Sequence, residues 1–438
     1  MIMDNHYFGL KYEIAQIEKE SLKTGKYDKE ALEKLKPELL KWEYYQLYCL
    51  ALLQTNIRNE EQYQAIFDEV KSLPENHITK AFYLYLEASY LYTFKNDITT
   101  ALEKLTEAEN LVNKIKLEDR RILYDIIQYK AVIYADMKEY QNTMARKMFK
   151  MASKIKLDEV DYFHTYHVET MQCLLDLETG NYINCIKKLL ALKKQCHKEG
   201  FFMREARILL YLGEAYRLCD KEQLALKCLE NSLEIIQKHN LLHDLGDVLH
   251  CIGGVNYSMA ISCNDENKKE QFLGKAIKYY MDAVVNYSKY YPRAARIAVA
   301  LFDLGRALYI MEDYHQCIHG LTRIFSLETN KMKNKNERLM KSIYTYLALA
   351  HLKLKNTKEA LKYIKKAENE YRETKIGGYT LIVDDREDQL MICDFYIEYY
   401  SSIKNYKKAL TFARQKEAII IKKKNEVIKN LIKIGNMK

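Results

Sequence analysis

A chain of 438 residues with only 3 prolines and 14 glycines carries too few breakers for a β-rich or many-looped fold; its length suits either a few ordinary domains or one long helical repeat array. Its 69 basic and 60 acidic residues, a net charge of +9, are interspersed as on a solvated helix surface, which argues against a nucleic-acid partner. No run approaches the ~18 apolar residues of a membrane span, the N-terminus lacks the basic-then-apolar layout of a signal peptide, and ten cysteines without a CxxC pair fit free thiols in the cytoplasm.

In chain order, residues 1–78 are expected to form an N-terminal helical bundle. "YFGLKYEIAQIEKESL", "KEALEKLKPELLKWEYYQLYCLALLQ" and "EEQYQAIFDEVKSL" each carry the helical period, with breaks at Gly25 and near Asn59. Pro37 is expected to kink or restart the second of these helices.

From 79 to 425 one unit recurs. A polar turn ends in a small anchor residue at Ala101, Thr143, Cys185, Ala225, Cys317, Ala360 and Ala409, as in "GNYINCI", "EDYHQCI" and "KNYKKAL". Twelve residues before each anchor stands a second small residue: Ser89, Ala131, Cys173, Gly213, Gly305 and Ala348, with Ile397 breaking the rule. An eighth unit is stretched, its Gly253 and Ala276 separated by the polar insertion "SCNDENKKEQ". Small residues at both places let two antiparallel helices approach closely while Leu and Tyr fill the seam. Anchors lie 40 to 51 residues apart.

This is the arrangement of the tetratricopeptide repeat. The expected fold is therefore all-α, a right-handed superhelix of about eight such helix pairs behind the N-terminal bundle. In "KIGGYTLIVDDREDQLMI" (375–392), Gly377 and Gly378 are expected to stop one helix, and Asp384 or Asp385 to cap the next. The basic tail, 426–438, reads as an amphipathic helix capping the last repeat, with membrane contact and coiled-coil dimerisation as its alternatives.

No Gly-rich phosphate loop, HExxH or GxSxG is present, so no catalytic residue, cofactor or metal is expected and the chain reads as non-enzymatic. His239/His243 and His315/His319 stand at i,i+4 but lack a third ligand. The acidic "DDRED" (384–388) is explained by helix capping. In arrays of this kind the first helix of each pair lines the groove. Counting from the small residue, the groove positions are Arg207, Glu214 and Arg217, then His250 and Tyr257, then Phe302, Arg306 and Tyr309. Arginines with aromatic neighbours suit an extended peptide bearing an acidic group or a C-terminal carboxylate. The bland alternative is pairing with acids on neighbouring helices.

A three-helix bundle followed by long-period tetratricopeptide repeats resembles the Rap-type regulators of Gram-positive bacteria, members of a larger group of quorum-peptide receptors. "WEYYQLYCLALLQ" (42–54) looks like their second bundle helix, and "RRILYDIIQYKAVIYADMKEYQNTM" (120–144) like their second repeat. The resemblance implies a cytosolic protein that binds a short secreted-and-reimported peptide and acts on a response regulator or transcription factor through its bundle. Glu38 and Leu39 stand where Rap-type phosphatases carry a Gln, so phosphatase chemistry is not expected. Two other classes stay open: a scaffold or adaptor for complex assembly, and the sensory half of a signalling protein lacking its output domain. A homodimer through the tail fits any of these readings.

Overall fold

The computed structural model describes the chain except for residues 1–4, 25–26, 55–59, 96, 116–119, 137–141, 158–166, 179–180, 291–293, 328–336, 370–374, 377–378, 381–385 and 436–438. The described residues form two compact units, Met1–Arg293 and Ala294–Lys438. Each is an all-α array of antiparallel helix pairs.

The first unit holds α1 (Asn5–Thr24), α2 (Lys29–Lys41), α3 (Tyr45–Gln54), α4 (Glu60–Ser72), α5 (His77–Tyr90), α6 (Ile98–Asn113) and α7 (Arg121–Asp136). It continues through α8 (Asn142–Ala152), α9 (His167–Glu178), α10 (Tyr182–Glu199), α11 (Phe202–Arg217), α12 (Glu222–Lys238), α13 (Leu242–Ser262) and α14 (Glu266–Tyr290). The second holds α15 (Ala294–Ile310), α16 (Tyr314–Arg323), α17 (Glu337–Lys353), α18 (Thr357–Asn369), α19 (Arg386–Ser402) and α20 (Tyr406–Gly435). Between α18 and α19 two short strands, β1 (Lys375–Ile376) and β2 (Tyr379–Thr380), pair antiparallel. Gly377, Gly378, Asp384 and Asp385, expected to stop and cap helices there, lie outside the described residues.

The polar turn inside each pair has a physical reason. Five residues before the anchor the backbone enters the left-handed region, at Asp220 (φ 54°), Glu312 (62°), Lys355 (60°) and Lys404 (59°). There it closes the first helix as a Schellman turn does: Asp313 N–H donates to Leu308 C=O at 3.0 Å, and Asn356 N–H to His351 C=O at 2.9 Å. The next residue starts the second helix, and an Asp or Asn there caps it. Asp97 Oδ1 accepts from Thr100 N–H and Asp313 Oδ1 from Gln316 N–H, both at 3.1 Å.

The glycines show why the seam needs small residues. A Cβ on Gly213 would stand 2.5 Å from Leu229 Cγ, one on Gly305 2.6 Å from Leu321 Cδ2, and one on Gly253 2.8 Å from the Tyr280 ring. In each case the obstructing side chain lies four residues after the anchor. The predicted register therefore holds through these three pairs.

It slips in two others. Thr143 is exposed, and Ala145, fully buried, takes the anchor's place. Ser89 faces the following pair, where its hydroxyl donates to that of Tyr129 on α7 at 3.0 Å, while neighbouring Ala88 is buried. Of the polar insertion "SCNDENKKEQ" only 263–265 stand outside a helix. Its Glu, Lys and Gln residues are good helix formers, and α14 starts at Glu266, with Asp265 Oδ1 accepting from Lys268 N–H at 3.1 Å.

Near the N-terminus α2 runs through Pro37 unbroken by it. The chain breaks later, at Glu43 (φ 55°), so one predicted helix becomes α2 and α3. The tail likewise is no separate helix, since α20 continues the last pair through 30 residues.

Helix α1 does not pack only with its sequence neighbours. Tyr7, Leu10 and Ile14 share one core with Ile122 and Ile126 of α7. Leu22 shares another with Ile208, Leu209 and Leu212 of α11, against which α1 lies. On an α-helix, nine residues is two and a half turns. Ile122 and Arg204, each nine residues before the seam residue of its helix, therefore point away from the partner helix, and both are buried.

Candidate functional site

The predicted groove residues fall in both units. In the first, Arg207, Glu214 and Arg217 project from α11 beside α13 and are half-buried. Arg207 bridges the two helices, its Nε donating to Asp244 Oδ1 at 3.1 Å and its terminal nitrogen lying 3.0 Å from the same oxygen. Arg217 turns inward on its own helix. Its Nε donates to Glu214 Oε2 at 2.8 Å, a terminal nitrogen to Glu214 Oε1 at 2.5 Å, and the other terminal nitrogen reaches Ser258 Oγ on α13 at 3.5 Å. The bonds it donates to Glu214 hold the guanidinium protonated against the opposing effect of burial.

Beneath Arg217 lies Gly254, where a Cβ would meet nothing nearer than Arg217 Cδ and the Tyr280 hydroxyl, both at 3.9 Å. The result is an open polar strip: an acid and a guanidinium at the surface, a hydroxyl at its edge and bare backbone alongside. A guanidinium has five N–H donors, and the bonds described occupy three of them. A carboxylate is a stronger acceptor than a hydroxyl at 3.5 Å, so the strip has chemical capacity for an anionic group.

His250 stands one turn before Gly254 on α13, its ring centroid 5.4 Å from that of Tyr280 on α14. Tyr257 is half-buried on the same helix.

In the second unit the three predicted residues serve packing as much as exposure. Phe302 and Tyr309 of α15 meet Tyr346 of α17 edge-on, at centroid distances of 5.8 and 5.6 Å. Arg306 stands 5.6 Å above Phe302 and donates to Asp303 Oδ1 at 3.2 Å. Burial pushes the Tyr309 phenol upward. Of the three predicted arginines, Arg217 and Arg306 are each paired with an acid three residues earlier on their own helix, and Arg207 with Asp244 across two helices. Tyr346, Ser258 and Asp244 complete these clusters, and only the helix contacts reveal them. Their helices are legible as repeats, but the pairing across helices leaves no mark in local sequence.

His239, one of the i,i+4 histidines, stacks on Phe202 at 4.6 Å, and burial lowers its pKa. Among the described residues no three His, Cys, Asp or Glu side chains gather as a metal site, and no helix is long and apolar enough to cross a membrane.

No protein-family model and no curated protein sequence matches the chain. Solved structures do. A Rap protein complexed with competence and sporulation factor is 11% identical over 94% of this chain and 97% of its own, with a TM-score of 0.46. Aspartyl phosphate phosphatase F from Bacillus subtilis is 14% identical over 88% and 98%, with a TM-score of 0.45. The tetratricopeptide repeat sensor protein of the signal-transduction ATPase class from Pyrococcus horikoshii is 14% identical over 96% of this chain and 65% of its own, with a TM-score of 0.50. In fold, the chain is an all-α helical array similar to that tetratricopeptide repeat sensor protein.

Proposed function

We propose that the chain is a non-enzymatic regulator that binds a short peptide along α11 and α13 and passes the signal to a protein partner. The observation that carries this reading is the strip formed by Glu214, Arg217, Ser258 and Gly254. The Arg217 side chain is 27% exposed, its guanidinium held in place and protonated by Glu214 and keeping donors for a second acceptor. The side chain absent at Gly254 leaves room beside Arg217 for a peptide to approach α13 closely. A peptide carboxylate replacing the long contact to Ser258 gains a charged hydrogen bond of about 1.5–3 kcal/mol.

The test is capture from a pool. Immobilised full-length protein is incubated with random hexapeptides bearing free C-terminal carboxylates, and retained sequences are read by mass spectrometry. Enrichment of a defined acidic set that disappears with Arg217→Ala protein supports the reading. A retained set unchanged by that substitution, or no enrichment over a serum albumin column, removes it and leaves the adaptor in its place.

A further inference from the structure

Helix α20 leaves bare a face that earlier helices of its kind have covered. The residue after the anchor is Leu102, Leu226 and Leu361 in three earlier pairs, each half-buried. Each packs against a core that includes the following pair: Ile122 of α7 for Leu102, Val248 of α13 for Leu226, Phe395 of α19 for Leu361. Leu410 holds that place on α20 and is 52% exposed. Tyr406, one turn before it, is 66% exposed, and Ile421, three turns after it, is 50% exposed.

The charges on this face are ordered. Lys408 turns toward α19, its ammonium 5.1 Å from the centre of the Tyr400 ring, and Lys416 pairs with Asp394 of α19. Exposed Arg414 and Glu417 stand four and seven residues after Leu410, on the same side of the helix, with Lys407 at the rim. Along the helix the face therefore runs apolar, basic, acidic, apolar: Leu410, Arg414, Glu417, Ile421. Against an antiparallel second copy that order is its own complement. With the two-fold axis midway between Arg414 and Glu417, each Leu410 meets the partner's Ile421 and each Arg414 meets the partner's Glu417.

We infer that this face of α20 is a dimerisation surface whose occupant is the same face of a second copy, laid antiparallel. The matched charges set the register and the choice of partner. A lipid surface fits less well, because it would meet Glu417 in the middle of the face with no cation opposite. From Tyr406 to Ile421 the contact spans about 24 Å of helix. That is less than the ~1,600 Å² of a standard interface provides for, so the dimer is expected to be weak and concentration-dependent. The surface is separate from the Glu214–Arg217 strip, and either can fail without the other.

The experiment is sedimentation equilibrium of the full-length protein over roughly 1 to 200 µM. The mass is expected to rise with concentration from 51.9 kDa toward twice that value. Glu417→Arg and Arg414→Glu each set like charges opposite one another and are expected to weaken self-association at least ten-fold, with helicity unaltered. Mixed in equal amounts, the two variants restore both ion pairs and are expected to associate at least ten-fold more tightly than either does alone. A monomer across the whole range, self-association unmoved by both substitutions, or a mixture no tighter than its components overturns the inference. Monomeric protein that co-sediments with phosphatidylserine vesicles also overturns it and assigns the face to a lipid surface.

Discussion

Arg217 and Glu214 hold each other through two hydrogen bonds, Nε to Oε2 at 2.8 Å and a terminal nitrogen to Oε1 at 2.5 Å, at a place where both remain about a third accessible. Exposed pairs of this kind contribute little, ~0.2–1 kcal/mol. A ligand carboxylate can therefore share the guanidinium at small cost, but it must do so beside a second negative charge.

That geometry sets a sign. Glu214→Gln keeps a hydrogen-bond acceptor and removes the repulsion, so acidic peptides are expected to bind the variant about two- to five-fold more tightly, in the range of one exposed charge pair. Calorimetric titration at low and moderate salt checks this, with the gain shrinking as salt rises.

Gly213 and Gly254 should respond in opposite ways. Gly213→Leu forces α11 and α12 apart against Leu229, at a cost of about 1–3 kcal/mol by overpacking. Gly254→Ala places its methyl in ordinary contact with Arg217 Cδ and the Tyr280 hydroxyl, both at 3.9 Å, within a helix and is expected to stabilise by about 0.5–1 kcal/mol. Thermal unfolding of both, measured side by side, checks the register directly.

The bridge between α11 and α13 is open to a double-mutant cycle. Asp244 is 7% exposed and receives Arg207 at 3.0 Å, so Asp244→Ala is expected to cost about 1.5–3 kcal/mol. Adding Arg207→Ala to it should cost little more. Additive losses in urea unfolding would mean that the two side chains act separately.

The repeat was legible wherever one residue's size controls a close approach. Gly213, Gly253 and Gly305 are spaced by the geometry of two touching helices, and the turn residues at Asp97 and Asp313 are chosen by capping. Both are local demands that leave a local pattern. The docking of α1 was not legible, because the contact joins residues 5–24 to Arg121 on α7 and to α11, segments far apart in the chain whose pairing leaves no local pattern. Lys11 and Glu18, charges set into an apolar face, were its only trace. Of the groove, the arginines were legible as candidates, but Asp303 and Glu214 as their partners emerge only from the structure. The break at Glu43, rather than Pro37, follows from a left-handed backbone residue that composition does not announce.

Two buried cysteines should be chemically silent in the folded protein. Burial pushes the thiols of Cys196 and Cys317 up to about 12, so at pH 8 both stay protonated. Iodoacetamide at that pH is expected to leave them unmodified until urea unfolds the chain, as mass spectrometry would show. Because these folded-state values are raised, the contribution to stability is complete below the ordinary thiol value of 9.0 and is lost as pH climbs toward about 12.

Peptide recognition through Arg217 is tested most directly by titrating one captured peptide, as free acid and as C-terminal amide, into native and Arg217→Ala protein. The expected result is a loss of about ten-fold or more, ~1.4 kcal/mol, from either change alone, with little further loss when the two are combined and helicity unaltered. Equal affinity of acid and amide for the native protein, together with an unchanged Kd in Arg217→Ala, would contradict it.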